Sequence, residues 1–231
     1  MKFDYEFLFD DGRKECFHLT ISDRTLTLDP LPLDYDAEWI RLGCHQCPGC
    51  SLAAAQHPYC PVARNLAQVL PKFVNDLSYT TVLARVTTAN RVMEKKGPLE
   101  TCVSSIMGLI MATSGCPVLD VLKPMAFTHL PFANEDETMF RAVSSYLIGQ
   151  YIRMLNGMKP DWDVKNLGAL YKGISALNAE FTERLRSMKG KDANVTALIS
   201  LDLFAQFGTF ALPETWAGSV REFFSAYLRE E

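Results

Sequence analysis

The sequence predicts an α+β protein: a small N-terminal antiparallel β-sheet, a zinc-binding loop, then a mostly helical bundle. Three observations lead there. Phe3, Tyr5, Phe7 and Phe9 alternate with Asp4, Glu6 and Leu8, the two-residue period of a strand with one buried face. Four of the seven cysteines and two of the four histidines crowd into residues 43–63. From about Pro98 onward, apolar residues recur at helical spacing to the end of the chain. Strands and helices do not alternate, which argues against a doubly wound α/β fold.

Taken in order, "DDGR" after the first strand reads as a hairpin turn. Phe17, Leu19 and Ile21 repeat the alternation, and a short third strand with Leu26 and Leu28 follows the "SDR" turn. The Pro- and Asp-rich "LDPLPLDYDAE" is a loop leading into the cysteines. Pro61 suits a first helical position, and Val62, Leu66, Val69, Leu70 and Phe73 follow at helical spacing. The β-branched "YTTVLARV" at 79–86 predicts a strand that rejoins the N-terminal sheet. Asn134 with Glu137 three residues on is a capping-box arrangement. The helix it opens carries Phe140, Val143, Leu147, Tyr151 and Leu155 as its apolar face and ends at Gly157. A further helix follows Asp163, another is capped by Asp192, and Pro213 starts the last, with Val220, Phe223, Phe224 and Tyr227. Two regions result: 1–97, sheet with metal-binding loop and one helix, and 98–231, helical bundle, packed together as one unit.

The 231 residues are enough to bury a full core without disulfides. The net charge of −4 argues against a dedicated nucleic-acid binder. Asp4, Glu6, Asp10 and Asp11 interrupt any signal-peptide core, and "IMGLIMA" is far too short to span a bilayer. The expected compartment is the cytoplasm, where thiols stay reduced and clustered cysteines point to ligation.

The cluster reads Cys44-x2-Cys47-x2-Cys50-x6-His57-x2-Cys60. Zinc takes four thiolate or imidazole ligands at tetrahedral corners. In "CPGC", Pro48 and Gly49 supply a tight turn between two ligands, and "HPYC" supplies a second pair. The expected set is Cys47, Cys50, His57 and Cys60, with Cys44 and His45 as spare candidates. Cys44, Cys47 and Cys50 also form the C-x2-C-x2-C run of an iron–sulfur site, with Pro61 after Cys60, which is the alternative cofactor. The remaining alternative is four reduced thiols without a metal. Three thiolates and one imidazole make a closed site, so the expected role of zinc is structural.

Residues 102–132 carry only Asp120 and Lys123 as charges. The plainest reading is a buried helix with a loop over it. A candidate pocket of Ser114, Cys116 and His129 is the functional one, with Cys116 and His129 as a nucleophile pair. Met107, Met111 and Met125 suit an adaptable core or an apolar ligand cavity. G-x-S-x-G, H-E-x-x-H, Walker-type and G-x-G-x-x-G motifs do not occur.

The phrases "CPGC", "YCPVA", "MGLIMATSGCP", "LKPMAFTHLPF", "ETMFR" and "SSYLIGQY" together resemble an uncharacterised bacterial family, a domain of unknown function, over most of the chain. That resemblance implies a bacterial cytoplasmic protein in which the cysteine cluster and the uncharged stretch belong to one domain. It implies no substrate. The expectation is a zinc-stabilised binding or regulatory protein whose helical half contacts another protein or an apolar small molecule, with no nucleic-acid or membrane partner. The alternatives are an enzyme with a pocket around Cys116 and His129, and an iron–sulfur redox or sensing protein. Oligomeric state stays open.

Overall fold

The alternating aromatics of β1 (Lys2–Phe9) all turn to one side: Phe3, Tyr5, Phe7 and Phe9 are buried. In this computed structural model, which describes residues 1–188, 190–210 and 214–229, that strand is central to a four-stranded antiparallel sheet. The order is β2 (Lys14–Thr20), β1, β3 (Thr81–Thr87), β4 (Val92–Pro98). Tyr5 lies opposite Phe17 of β2 and Val86 of β3, so the apolar residues of three strands share one face. Phe73 closes one end of that face, with ring centroids 5.0 Å from Phe7 and 5.8 Å from Phe17.

Residues 79–86 rejoin the sheet as expected, through β3. The third strand at Leu26 and Leu28 does not form. Leu26 takes a left-handed φ of +52°, and only an isolated bridge joins Ile21 to Leu28. The fourth strand is β4 instead, an edge strand without a buried side chain, with Glu94, Lys95 and Lys96 in its middle. Charges suit an edge, because they discourage pairing with a further strand.

Helix α1 (Pro61–Leu66) is shorter than its apolar spacing suggests, and a 3-10 turn at Leu70–Phe73 completes that side. Helix α2 (Leu99–Thr113) runs beneath the sheet with most of its residues buried. α3 (Lys123–Phe127), α4 (Glu135–Leu155), α5 (Lys165–Arg186), α6 (Ala193–Phe210) and α7 (Glu214–Val220) follow, then a 3-10 segment at Arg221–Leu228. One cluster of buried apolar residues extends from Phe3 and Phe7 through Ile106 and Ile110 to Ile174 and Ala197.

The capping box at Asn134 and Glu137 is present, with both reciprocal hydrogen bonds. The face expected to bury α4 differs. Phe140, Tyr151 and Leu155 are exposed, whereas Met139, Ala142 and Gln150 are buried. The Gln150 side chain accepts from the Asp161 N–H at 2.8 Å, so a polar contact secures the far half of this helix. Asp192 precedes α6, but its carboxylate accepts from the N–H and hydroxyl of Ser78, tying the helix start to the turn before β3. Pro213 lies outside the described residues. Phe223 and Tyr227 beyond it are exposed rather than core-facing.

Candidate functional site

Two cavities lie against α5, on adjoining stripes of its surface. The first is built by the cysteine-rich loop. Cys50 N–H donates to the Cys47 carbonyl at 3.0 Å and closes the Cys-Pro-Gly-Cys turn. Leu42 N–H donates to Pro58 O at 3.0 Å and Cys60 N–H to Ile40 O at 2.9 Å, folding the loop's end back onto its start. Cys60 therefore stands beside the turn and directly before α1.

The remaining side comes from the far end of α2. Gly115, at φ +81°, lets the chain reverse past the helix, a conformation a side chain would strain. Cys116 is buried just beyond it. A Cβ on Gly49 would meet Val118 at 3.5 Å, so the Cys-Pro-Gly-Cys turn rests on the Cys116 segment. Cys47, Cys50, Cys60 and Cys116 thus line one cavity of about 20 Å³, completed by Leu177, Phe181 and Arg184 of α5. Burial pushes the Cys47 thiol up to about 12, and the neighbouring Cys50, Cys116 and Cys60 thiols push it the same way. Burial also raises Cys116, against a smaller opposing effect of the Leu119 and Val118 N–H groups at its sulfur.

Arg184 fixes the loop from the helical side. It is 2% exposed, and Nη1 donates to the carbonyls of Trp39 at 2.7 Å and Arg41 at 2.6 Å. Nη2 reaches Leu42 O and His45 O, each at 3.4 Å. Its Nε is buried without a hydrogen-bond partner among the described residues.

The sequence-derived candidates are divided by the structure. Cys47, Cys50 and Cys60 come together, and His45 sits at the edge of their cavity with Nδ1 3.7 Å from Glu180. His57 is exposed just after a turn and Cys44 is half-buried; neither lines the cavity. All seven thiols are free. Among the described residues, no three His, Cys, Asp or Glu side chains are gathered closely enough to hold a metal ion as they stand. Ser114 is a helix end-cap, its hydroxyl donating to Met111 O at 2.9 Å, and it lines neither cavity. Cys116 and His129 line different cavities, so the expected nucleophile pair is not formed.

The second cavity, of about 200 Å³, lies among α2, α3, α4, α5 and α6. Gly108, Met111 and Ala112 of α2, Met125 and Ala126 of α3, and Ile174 and Leu201 make it mainly apolar. Its polar groups are few. His129 Nε2 is 2.5 Å from the Tyr5 hydroxyl, which is 3.1 Å from Ser105 Oγ. Burial pulls the His129 pKa down to about 3, helped by the charge of Arg141, so the imidazole is neutral at pH 7. Burial pushes the Tyr5 phenol up, so it stays protonated. The row is satisfied when Ser105 donates to Tyr5 and Tyr5 to Nε2, which leaves the proton on Nδ1.

Arg141 is the one charged residue lining this cavity among those described. Nη2 donates to Met125 O, while its Nε is buried and has no hydrogen-bond partner among the described residues. Sequence reasoning missed Arg141, Arg184 and Tyr5. Arg184 had a signal: it falls on the apolar stripe of Leu177, Phe181 and Leu185, where a solvated charge would not be placed.

The family described as "Domain of unknown function (DUF6901)" matches residues 3–228, and the chain belongs to that family. No curated protein and no solved structure matches it. Among the described residues, no helix is long and apolar enough to cross a membrane.

Proposed function

We propose that this family member binds a small, mainly apolar molecule carrying one anionic group, seated in the helical cavity. The observation that carries the reading is Arg141: a guanidinium with an unpartnered buried Nε in an otherwise uncharged cavity. A buried donor without an acceptor costs about 1–3 kcal/mol, and a ligand carboxylate would supply the acceptor. About 200 Å³ exceeds the engineered cavity of about 150 Å³ that accepts benzene. Met111 and Met125 can adjust to the shape of an apolar guest.

Binding is favoured over turnover by His129. An imidazole held near pKa 3 is a weak base at neutral pH, and its Nε2 is already engaged by Tyr5. The cysteine-rich loop, with the zinc expected there, serves as the structural element of this reading. Seven free thiols suit the reducing cytoplasm.

The test is thermal unfolding with octanoate, octan-1-ol and octylamine. Octanoate should raise Tm most, since a ligand at a hundred times its Kd adds about 2.7 kcal/mol of stability. In Arg141→Met, its advantage over octan-1-ol should vanish. Octylamine stabilising the wild type as well as octanoate would overturn the reading.

A further inference from the structure

We infer that Cys47, Cys50, Cys60 and Cys116 form a tetrathiolate site for one zinc ion, with Cys116 taking the place that spacing assigns to His57. The argument is independent of the helical cavity. These are four of the seven thiols, and they line a single small space although they come from three separate segments and, among the described residues, no three stand close enough to hold an ion as they are. His57 and Cys44 lie outside it. Two independent contacts hold the segments in place: Gly49 lies against Val118, and the 40–42 and 58–60 strips are hydrogen-bonded to each other.

The about 20 Å³ of the cavity is on the scale of one water molecule. That volume suits a single ion. Zinc would draw the four sulfurs inward to bonds of about 2.3 Å, releasing their protons to solvent.

Charge points the same way. Four thiolates around a divalent cation leave a net charge of −2, which is costly to bury alone. Arg184 lines this cavity, is almost fully buried and has an unpartnered Nε. Its guanidinium offsets part of that charge and offers an N–H to a coordinated sulfur. A zinc there would join the loop, the start of α1 and the chain leaving α2, directly beside α5.

Full-length protein produced with zinc sulfate and dialysed without chelator should retain about one zinc per chain, the stoichiometry of a single four-ligand site. His57→Ala and Cys44→Ser should retain it, and Cys116→Ser should lose most of it. Zinc-edge X-ray absorption of the wild type tests the ligands even where Cys116→Ser fails to fold. A shell of four sulfurs is expected. A nitrogen ligand, full zinc retention in Cys116→Ser, or a wild type that binds no zinc would each overturn the assignment.

Discussion

The thiol cavity has a volume of about 20 Å³ and the helical cavity about 200 Å³, yet both are walled by α5. Leu177, Phe181 and Arg184 face the first; Tyr171, Ile174 and Asn178 face the second. Short backbone turns build the first, closed by an arginine that donates to four carbonyls. Five helices enclose the second around small and flexible side chains, and its arginine donates to one carbonyl, that of Met125; the Nε of both arginines is buried without a partner among the described residues. One arginine ties four carbonyls of the loop together, and the other holds a single carbonyl beside a larger space. The same residue type is a fastening in the small space and, on the proposed reading, a recognition group in the larger one.

Breaking the fastening should have the largest effect. Arg184→Met leaves the carbonyls of Trp39, Arg41, Leu42 and His45 without their shared donor. The expected loss is about 3–5 kcal/mol in urea unfolding, the scale of several charge-assisted hydrogen bonds. A loss below about 1 kcal/mol, the size of an ordinary surface change, would mean that the loop holds without α5.

The helical cavity should be sensitive to acid through His129. Its folded-state pKa of about 3 lies below the ordinary value of 6.5. The unfolded chain therefore takes up the proton first, and stability falls as pH drops from about 6.5 towards 3. At about 1.4 kcal/mol per pH unit, roughly 2 kcal/mol is lost between pH 7 and pH 5. His129→Asn should remove that increment, and equal pH slopes for the variant and wild type would refute it. Tyr5→Phe should cost about 1–3 kcal/mol, because Ser105 and His129 lose the hydroxyl between them. Denaturant unfolding at pH 7 measures it, and a neutral result would mean that other groups meet their needs.

The smallest effect sharpens the boundary of the thiol cavity. His57→Ala should change stability by less than about 0.5 kcal/mol, since the side chain is exposed. Chemical denaturation in zinc-containing buffer measures this, and a loss of several kcal/mol would return His57 to the structural centre.

Features that depend on neighbours a few residues away were legible before any coordinates. The alternation of β1, the Cys-Pro-Gly-Cys turn and the capping box at Asn134 and Glu137 are local, and the chain adopts them as read. β4 was missed because its solvent-exposed edge needs no apolar alternation, so Val92–Pro98 carries little period-two signal. The apolar face of α4 was misjudged because hydrophobic spacing shows that a helix is amphipathic, while the available partner surface decides which part is covered.

The sequence by itself determined the α+β class, the order of most elements and the local shape of the cysteine-rich turn. Each follows from propensity, periodicity or turn chemistry acting over a few residues. Only the tertiary structure decided that Cys116 joins Cys47, Cys50 and Cys60, that Arg184 closes their cavity, and that Tyr5 meets His129 across 124 residues. Those meetings depend on how the sheet, the reversal at Gly115 and α5 pack together. Spacing along the chain does not encode distances that packing alone sets.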